Sequence, residues 1–227
     1  VGFIVNNIHS ANYQPPANQG LDVLYEDDSL LVVNKPSGLL SVPGRGEHKR
    51  DCLMSRVQEK YPEAMNVHRL DMDTSGVMVL ARNAQIQRQL SLLFQERELR
   101  KRYITVVDGR VATASGMIDL PLICDWPNRP RQIVDHEQGK PSKTLYKVLW
   151  RNIEENTTRL ELEPVTGRSH QLRVHMQSLG HPILGDKLYA DDGVQAKSPR
   201  LLLHALSLIF DHPVTAEPMR FICEPPF

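Results

Sequence analysis

The chain has 227 residues, 41% of them hydrophobic and 24% charged, with 27 basic and 27 acidic side chains and a formal net charge of zero. That length buries a sizeable core as one large domain or two small ones, and the charge balance excludes a protein held to nucleic acid by bulk charge alone. The apolar runs are too short to span a bilayer, the start lacks the basic region of a signal peptide, and Cys52, Cys124 and Cys223 form no CxxC pair. A cytoplasmic protein without membrane attachment, disulfide framework or zinc site is expected.

Residues 1–20, with NYQPPANQG, hold little that packs and are expected to form a mobile N-terminal arm ahead of one folded domain over 21–227. LDVLYEDDSLLVVNKPSG reads as two strands joined at Glu26–Asp28 and stopped by Lys35-Pro36. Asp51 to Tyr61 places Leu53, Met54, Val57 and Tyr61 at helical spacing, with Pro62 as the stop. After Gly76 comes a strand, VMVLAR, and Ala84 to Arg97 is an amphipathic helix with Ile86, Leu90, Leu93 and Phe94 on one side. RYITVVDGRV, Ile133–Val134, Leu145–Trp150 and RLELEPV read as strands. SHQLRVHMQSLG is a short helix with Ser169 as N-cap and Gly180 as its stop. Leu201 to Phe210 is a buried strand, and Met219–Ile222 pairs with it. With no repeat and no regular βα alternation, the order implies an α+β domain with a mixed, largely antiparallel sheet.

Chemistry concentrates in VHRLDMDTSG, residues 67–76. A calcium loop is excluded because its twelfth position is Arg82 rather than a glutamate, and the flank is a β-type run. Asp73-Thr74-Ser75-Gly76 suits an Asx-type turn. Asp71, between Leu70 and Met72, needs a partner if half buried. TGRSHQLRVH at 166–175 offers one: a guanidinium at Arg168 is expected to hold Asp71 in a forked ion pair. His170 and His175, five apart, suit packed or hydrogen-bonded histidines better than zinc ligands. The cations at 97–102 and the recurring ones from Arg129 to Arg151 read, taken alone, as solvated faces.

Six motifs in order carry a resemblance: NKPSG at 34–38, HRLD at 68–71, RKRY at 100–103, TGRSHQLRVH at 166–175, HPILGD at 181–186 and RLLLHA at 200–205. Together they resemble the RluA family of pseudouridine synthases. The resemblance implies that family's fold, a mixed, largely antiparallel central sheet flanked by helices and loops with the active-site cleft across it. It also implies a catalytic domain over 21–227 without an S4 domain in front, no cofactor and no metal. The segment ICDWPNRPRQ at 123–132 resembles a bacterial member whose substrates are 23S rRNA and tRNA anticodon stem-loops, and a monomer is expected.

By the same resemblance Asp71 is the catalytic carboxylate. Tyr103 stacks on the uracil and assists removal of the C5 proton, a base role that needs a neighbour such as Arg168 to lower the phenol's pKa. Leu172 packs against the base, and Arg69 fills the space a flipped uridine vacates. Lys35 and Arg173 are phosphate or scaffold residues, and His68 orients the turn. Trp126, Arg129 and Arg131 suit gripping a single-stranded loop. Two competing readings are a non-catalytic RNA-binding or assembly factor on the same scaffold, and a hydrolytic glycosidase using Asp71 and Asp73 as its carboxyl pair.

Overall fold

The apolar runs LLVV and VMVLA become neighbouring strands buried on both faces. In the computed structural model, which describes residues 13–227, β1 (Val23–Glu26) and β2 (Leu30–Lys35) form an antiparallel hairpin, and β2 pairs with β4 (Ser75–Ala81). Successive residues of a strand point to opposite faces, so a strand covered on both sides is apolar without alternation. One face of this pair, with Leu31, Val33, Met78 and Leu80, packs on α1 (Leu53–Lys60). The other, with Val32, Val77 and Val79, packs on α2 (Ala84–Glu96) through Ile86 and Leu90.

Both helices begin on local caps. Cys52 Sγ accepts from the Ser55 amide while Ser55 Oγ accepts from the Cys52 amide, and Asn83 Oδ1 accepts from the Ile86 amide at 2.9 Å. α2 ends on Arg97 in the left-handed conformation, φ 63.

The sheet continues through β5 (Arg100–Asp108), β6 (Ser115–Asp119), β9 (Lys143–Asn152), β10 (Thr157–Pro164) and β11 (Leu203–Asp211). The path is β1-β2-β4-β11-β5-β10-β9-β6, with β12 (Pro218–Ile222) on β11 and β3 (Met65–Asn66) on β4. Only the β4–β11 pair is parallel among those in the described residues, so the sheet is mixed and largely antiparallel as expected. Gly76 sits at that join with φ 113, where a Cβ would lie 2.3 Å from the Ala205 carbonyl oxygen, so only glycine fits. A third apolar cluster joins β5, β10 and β11 to α3 (Gln171–Ser178) through Leu160, Leu162, Leu172 and Met176.

The short elements β3, β6, β7 (Leu122–Cys124) and α4 (Asp192–Gln195) escaped the sequence reading; β7 forms a separate hairpin with β8 (Gln132–Val134), which was expected at Ile133–Val134. The expected arm divides. Residues 1–12 lie outside the described residues. Residues 13–20 form no helix or strand, but they are tied to the body: Tyr13 Oη donates to the Asp51 carbonyl, Leu40 N donates to that hydroxyl, and Arg56 donates to the Pro16 carbonyl.

Candidate active site

The segment from Val67 to Thr74 is a loop between β3 and β4, pinned by its own carbonyls. Ser41 Oγ donates to the Leu70 carbonyl at 2.7 Å and accepts from the Leu70 amide at 3.1 Å. Ser37 Oγ donates to the Asp73 carbonyl at 2.7 Å. Lys35, fully buried, donates to the carbonyls of Pro36, Leu39 and Met72 at 2.8, 2.6 and 2.9 Å. Lys35 is therefore a scaffold residue that clamps the loop and not a phosphate ligand. Burial pulls its pKa down to about 7, opposed by Asp73 and Asp71. Lys35→Met leaves three carbonyls without a donor and costs about 2–3 kcal/mol in urea unfolding.

His68 stacks on Phe94, centroids 4.3 Å apart, and its Nε2 accepts from the Val79 amide at 3.1 Å. The ring thus ties the loop to β4 and α2. Farther along the sheet, Ser75 Oγ accepts from Arg200 and gives its proton to His204 Nδ1, whose Nε2–H then reaches the Cys223 carbonyl. Burial lowers the pKa to about 3 for His68, helped by the Lys101 charge, and to about 4 for His204. Unfolded histidines bind protons near ~6.5, so stability is full above that value and is lost as pH falls toward the folded values. Urea unfolding is expected to lose on the order of 3 kcal/mol per ring, about 6 kcal/mol for the two, between pH 7 and pH 4; equal stability at both pH values overturns the assignment.

The loop, α3 and β5 enclose a cavity of about 500 Å³ lined by Asp71, Thr74, Tyr103, Leu172 and Arg173, among others. Asp71 and Leu172, from opposite halves of the sequence, meet in it. Asp73 does not line it. The Thr74 amide donates to the Asp71 carbonyl at 3.1 Å, so Asp71 to Thr74 is a turn and not the extended segment that a carboxyl pair two residues apart requires. The glycosidase reading loses its geometry.

The guanidinium beside Asp71 comes from Arg173, not from Arg168. Arg173 lies 3.7 Å from Asp71 Oδ2 and forks onto Asp186 at 2.8 and 2.6 Å. Arg168 is exposed; its Nε donates to the Pro141 carbonyl at 3.4 Å and its side chain lines the cavity mouth. The reason is local. α3 is entered through His170 in the left-handed conformation, φ 53, and Ser169 does not cap it. Gln171 turns back instead, its Oε1 accepting from the Arg168 amide and Thr166 Oγ1. That entry turns Arg168 outward and Arg173 inward. Burial works against the Arg173 charge, but Asp186 and Asp71 outweigh it and raise its pKa.

Because Asp186 takes the two short bonds, Asp71 receives only a long ion pair. Its oxygens stay free for a substrate. Asp186 is fully buried and also accepts from the Leu188 and Tyr189 amides.

Tyr103 lines the cavity, and burial followed by the Asp71 charge pushes its pKa up. Arg168 does not lie against it to lower that value, so the neighbour that a base role needs is absent from this arrangement. Stacking on a base remains open to it.

The basic stretch at 97–102 divides. Arg100 and Arg102 pair with Glu163 and Glu161 across the sheet. Arg97 and Lys101 line the cavity with Arg69 and Arg168, and none of these four has an ion-pair partner among the described residues. Lys101 and Arg97 were missed as site residues; Glu96 and Glu98 flank Arg97 in the sequence, so no local signal marked either cation.

Trp126 and Arg129 stand at the tip of the β7–β8 hairpin, stacked at 4.5 Å and outside the cavity lining. The hairpin packs on α3 through Leu122, Val134 and Val174, with Tyr189 between, and Arg131 lies 5.6 Å over the Tyr189 ring. No group of three or more His, Cys, Asp or Glu among the described residues is placed to hold a metal, and no helix among them is long and apolar enough to cross a membrane.

Residues 29–178 match the model of a family described as RNA pseudouridylate synthase. The chain is 55% identical over 210 residues to the "Dual-specificity RNA pseudouridine synthase RluA" of Escherichia coli (strain K12), covering 92% of this chain and 95% of that one. It is 52% identical to the protein of the same name from Pasteurella multocida (strain Pm70), over 95% and 98% of the two chains. Among solved structures it is similar to "Human RNA Pseudouridylate Synthase Domain Containing 1", with a TM-score of 0.79, 28% identity and coverage of 94% and 87%.

Proposed function

The chain belongs to the RNA pseudouridylate synthase family, and from that premise we propose that it isomerises uridines of 23S rRNA and of tRNA anticodon stem-loops with Asp71 as the catalytic carboxylate. It is an RNA pseudouridine synthase, an isomerase. The two RNA targets rest on ICDWPNRPRQ at 123–132 and on the dual specificity in the names of relatives at 52 to 55% identity. It works as a cytoplasmic monomer without cofactor.

The observation that carries the reading is Asp71 beside a buried guanidinium, in a cavity edged by four unpaired cations. The reaction breaks the N1–C1′ bond of a uridine, turns the base and rejoins it through C5. The C5 proton leaves, N1 takes one up, and nothing is oxidised. A carboxylate acting at the sugar, either on its carbon or on one of its protons, is what such a glycosyl exchange needs. The target nucleotide must flip out, at a cost of about a few kcal/mol that is least where pairing is weak. Arg97, Lys101 and Arg168 hold its phosphates and those beside it, Arg69 takes the vacated space, and Tyr103 and Leu172 sandwich the uracil.

Tritium release from RNA labelled at uridine C5 tests this, with tRNA and rRNA fragments and with EDTA in parallel. Release from both that survives EDTA is expected. No release from either RNA by folded protein removes the proposal. Salt titration checks the cation assignment: Lys101→Ala lowers the slope of log K against log salt by about 0.7 for one lost single-strand phosphate contact.

A further inference from the structure

A second polar group approaches Asp71, at the carboxylate oxygen other than the one beside Arg173, and has no part in the reaction as described. His170 Nε2 lies 3.9 Å from Asp71 Oδ1, and His170 Nδ1 lies 2.6 Å from Tyr189 Oη. His170 holds φ 53, a conformation unfavourable for a residue with a Cβ, and its side chain makes no capping bond there.

The proton positions follow from the bonds. Tyr189 Oη already accepts from the Gln132 amide at 2.8 Å. A phenol has one proton to give, and His170 Nδ1 is the acceptor it meets. The imidazole then carries its own proton on Nε2, aimed at Asp71 Oδ1. Burial keeps the ring's pKa low against the pull of Asp71, and the Arg173 charge adds to that, in keeping with a neutral imidazole. Tyr189 is held in turn: it is 4% exposed, with the Arg173 guanidinium 5.0 Å from its ring centroid and that of Arg131 at 5.6 Å.

We propose that His170, oriented by Tyr189, is a positioning residue whose neutral Nε2–H closes on Asp71 Oδ1 when a flipped nucleotide fills the cavity, leaving Oδ2 to meet the sugar. A neutral donor fixes the rotation of the carboxylate without adding a second full positive charge to the one from Arg173, which would weaken it as a nucleophile or base. Gln132 opens β8, so the same hydroxyl links the carboxylate's orientation to the hairpin that carries Trp126 and Arg129. The inference rests on reading Asp71 as the catalytic carboxylate.

Single-turnover tritium release at saturating enzyme tests it with His170→Phe, His170→Gln and Tyr189→Phe. Phenylalanine and glutamine carry a similar left-handed backbone cost, but only glutamine can set an N–H near the place of Nε2, and matched thermal midpoints make the pair comparable. His170→Phe is expected to slow the maximal rate about 10- to 100-fold with RNA affinity within about twofold. His170→Gln recovers much of that rate. Tyr189→Phe slows it about fivefold alone and adds nothing to His170→Phe. A wild-type chain that releases no tritium overturns the functional reading, and this proposal with it. An active wild type matched by His170→Phe, phenylalanine and glutamine variants that are equally slow, or a loss confined to RNA affinity, overturns this proposal alone.

Discussion

Asp71→Asn lowers tritium release from C5-labelled uridine by at least about 10³-fold and leaves RNA affinity within a few-fold of the parent. The substitution is nearly isosteric. It keeps the turn closed by the Thr74 amide and the Asp71 carbonyl, and it leaves Arg173 its two short bonds to Asp186. The fold has little reason to move, so the loss is read in the chemical step. The amide lacks the charge and the lone pairs that act at the sugar. Binding persists because the unpaired cations and the stacking residues are untouched. An assembly factor on this scaffold predicts the opposite: Asp71→Asn changes nothing measurable, since only binding matters to it. Rate and affinity measured on one preparation separate the two.

Arg173→Met costs about 3–5 kcal/mol of stability and removes activity as well. The Asp186 carboxylate is fully buried, and with Arg173 gone it keeps only the Leu188 and Tyr189 amides. An uncompensated buried charge is what makes the removal of one partner so damaging. Arg173→Lys keeps the charge but not the fork, so it falls between methionine and wild type. Arg168→Ala is the control. That side chain is exposed and holds one long bond to a carbonyl, so stability changes by less than about 0.5 kcal/mol while RNA binding weakens. Urea unfolding of the three variants checks the order. Equal effects at 168 and 173 would return the ion pair to the position the sequence suggested.

The choice between those two arginines shows where sequence reading stopped. Both lie in TGRSHQLRVH, and both are plausible partners for a carboxylate at 71. The left-handed turn at His170 and the back-folded Gln171 side chain decide which one points inward, and neither has a local signature. Asp186 lay in plain sight in HPILGD, but its role appears only when Arg173 is found forked onto it. Tyr103 followed the same course. Its place in the site was expected from RKRY and it lines the cavity, yet its pKa shift depended on burial and on Asp71 across the cavity. The β7–β8 hairpin was half seen, because three-residue strands carry too little periodicity to register.

What the sequence determined by itself was local or motif-borne: the strands β2 and β4, the helices α1 and α2 with Pro62 after the first, the turn before Gly76, and the family through six ordered motifs. Propensity, turn chemistry and apolar spacing act over a few residues, so they can be read without knowing the fold. Tertiary structure alone decided which charges meet. Ion pairs, proton positions and desolvation depend on distances between groups far apart along the chain, set by the packing of α3 against the sheet. That packing gave Asp71 a guanidinium shared with Asp186 near one oxygen and the His170 imidazole near the other.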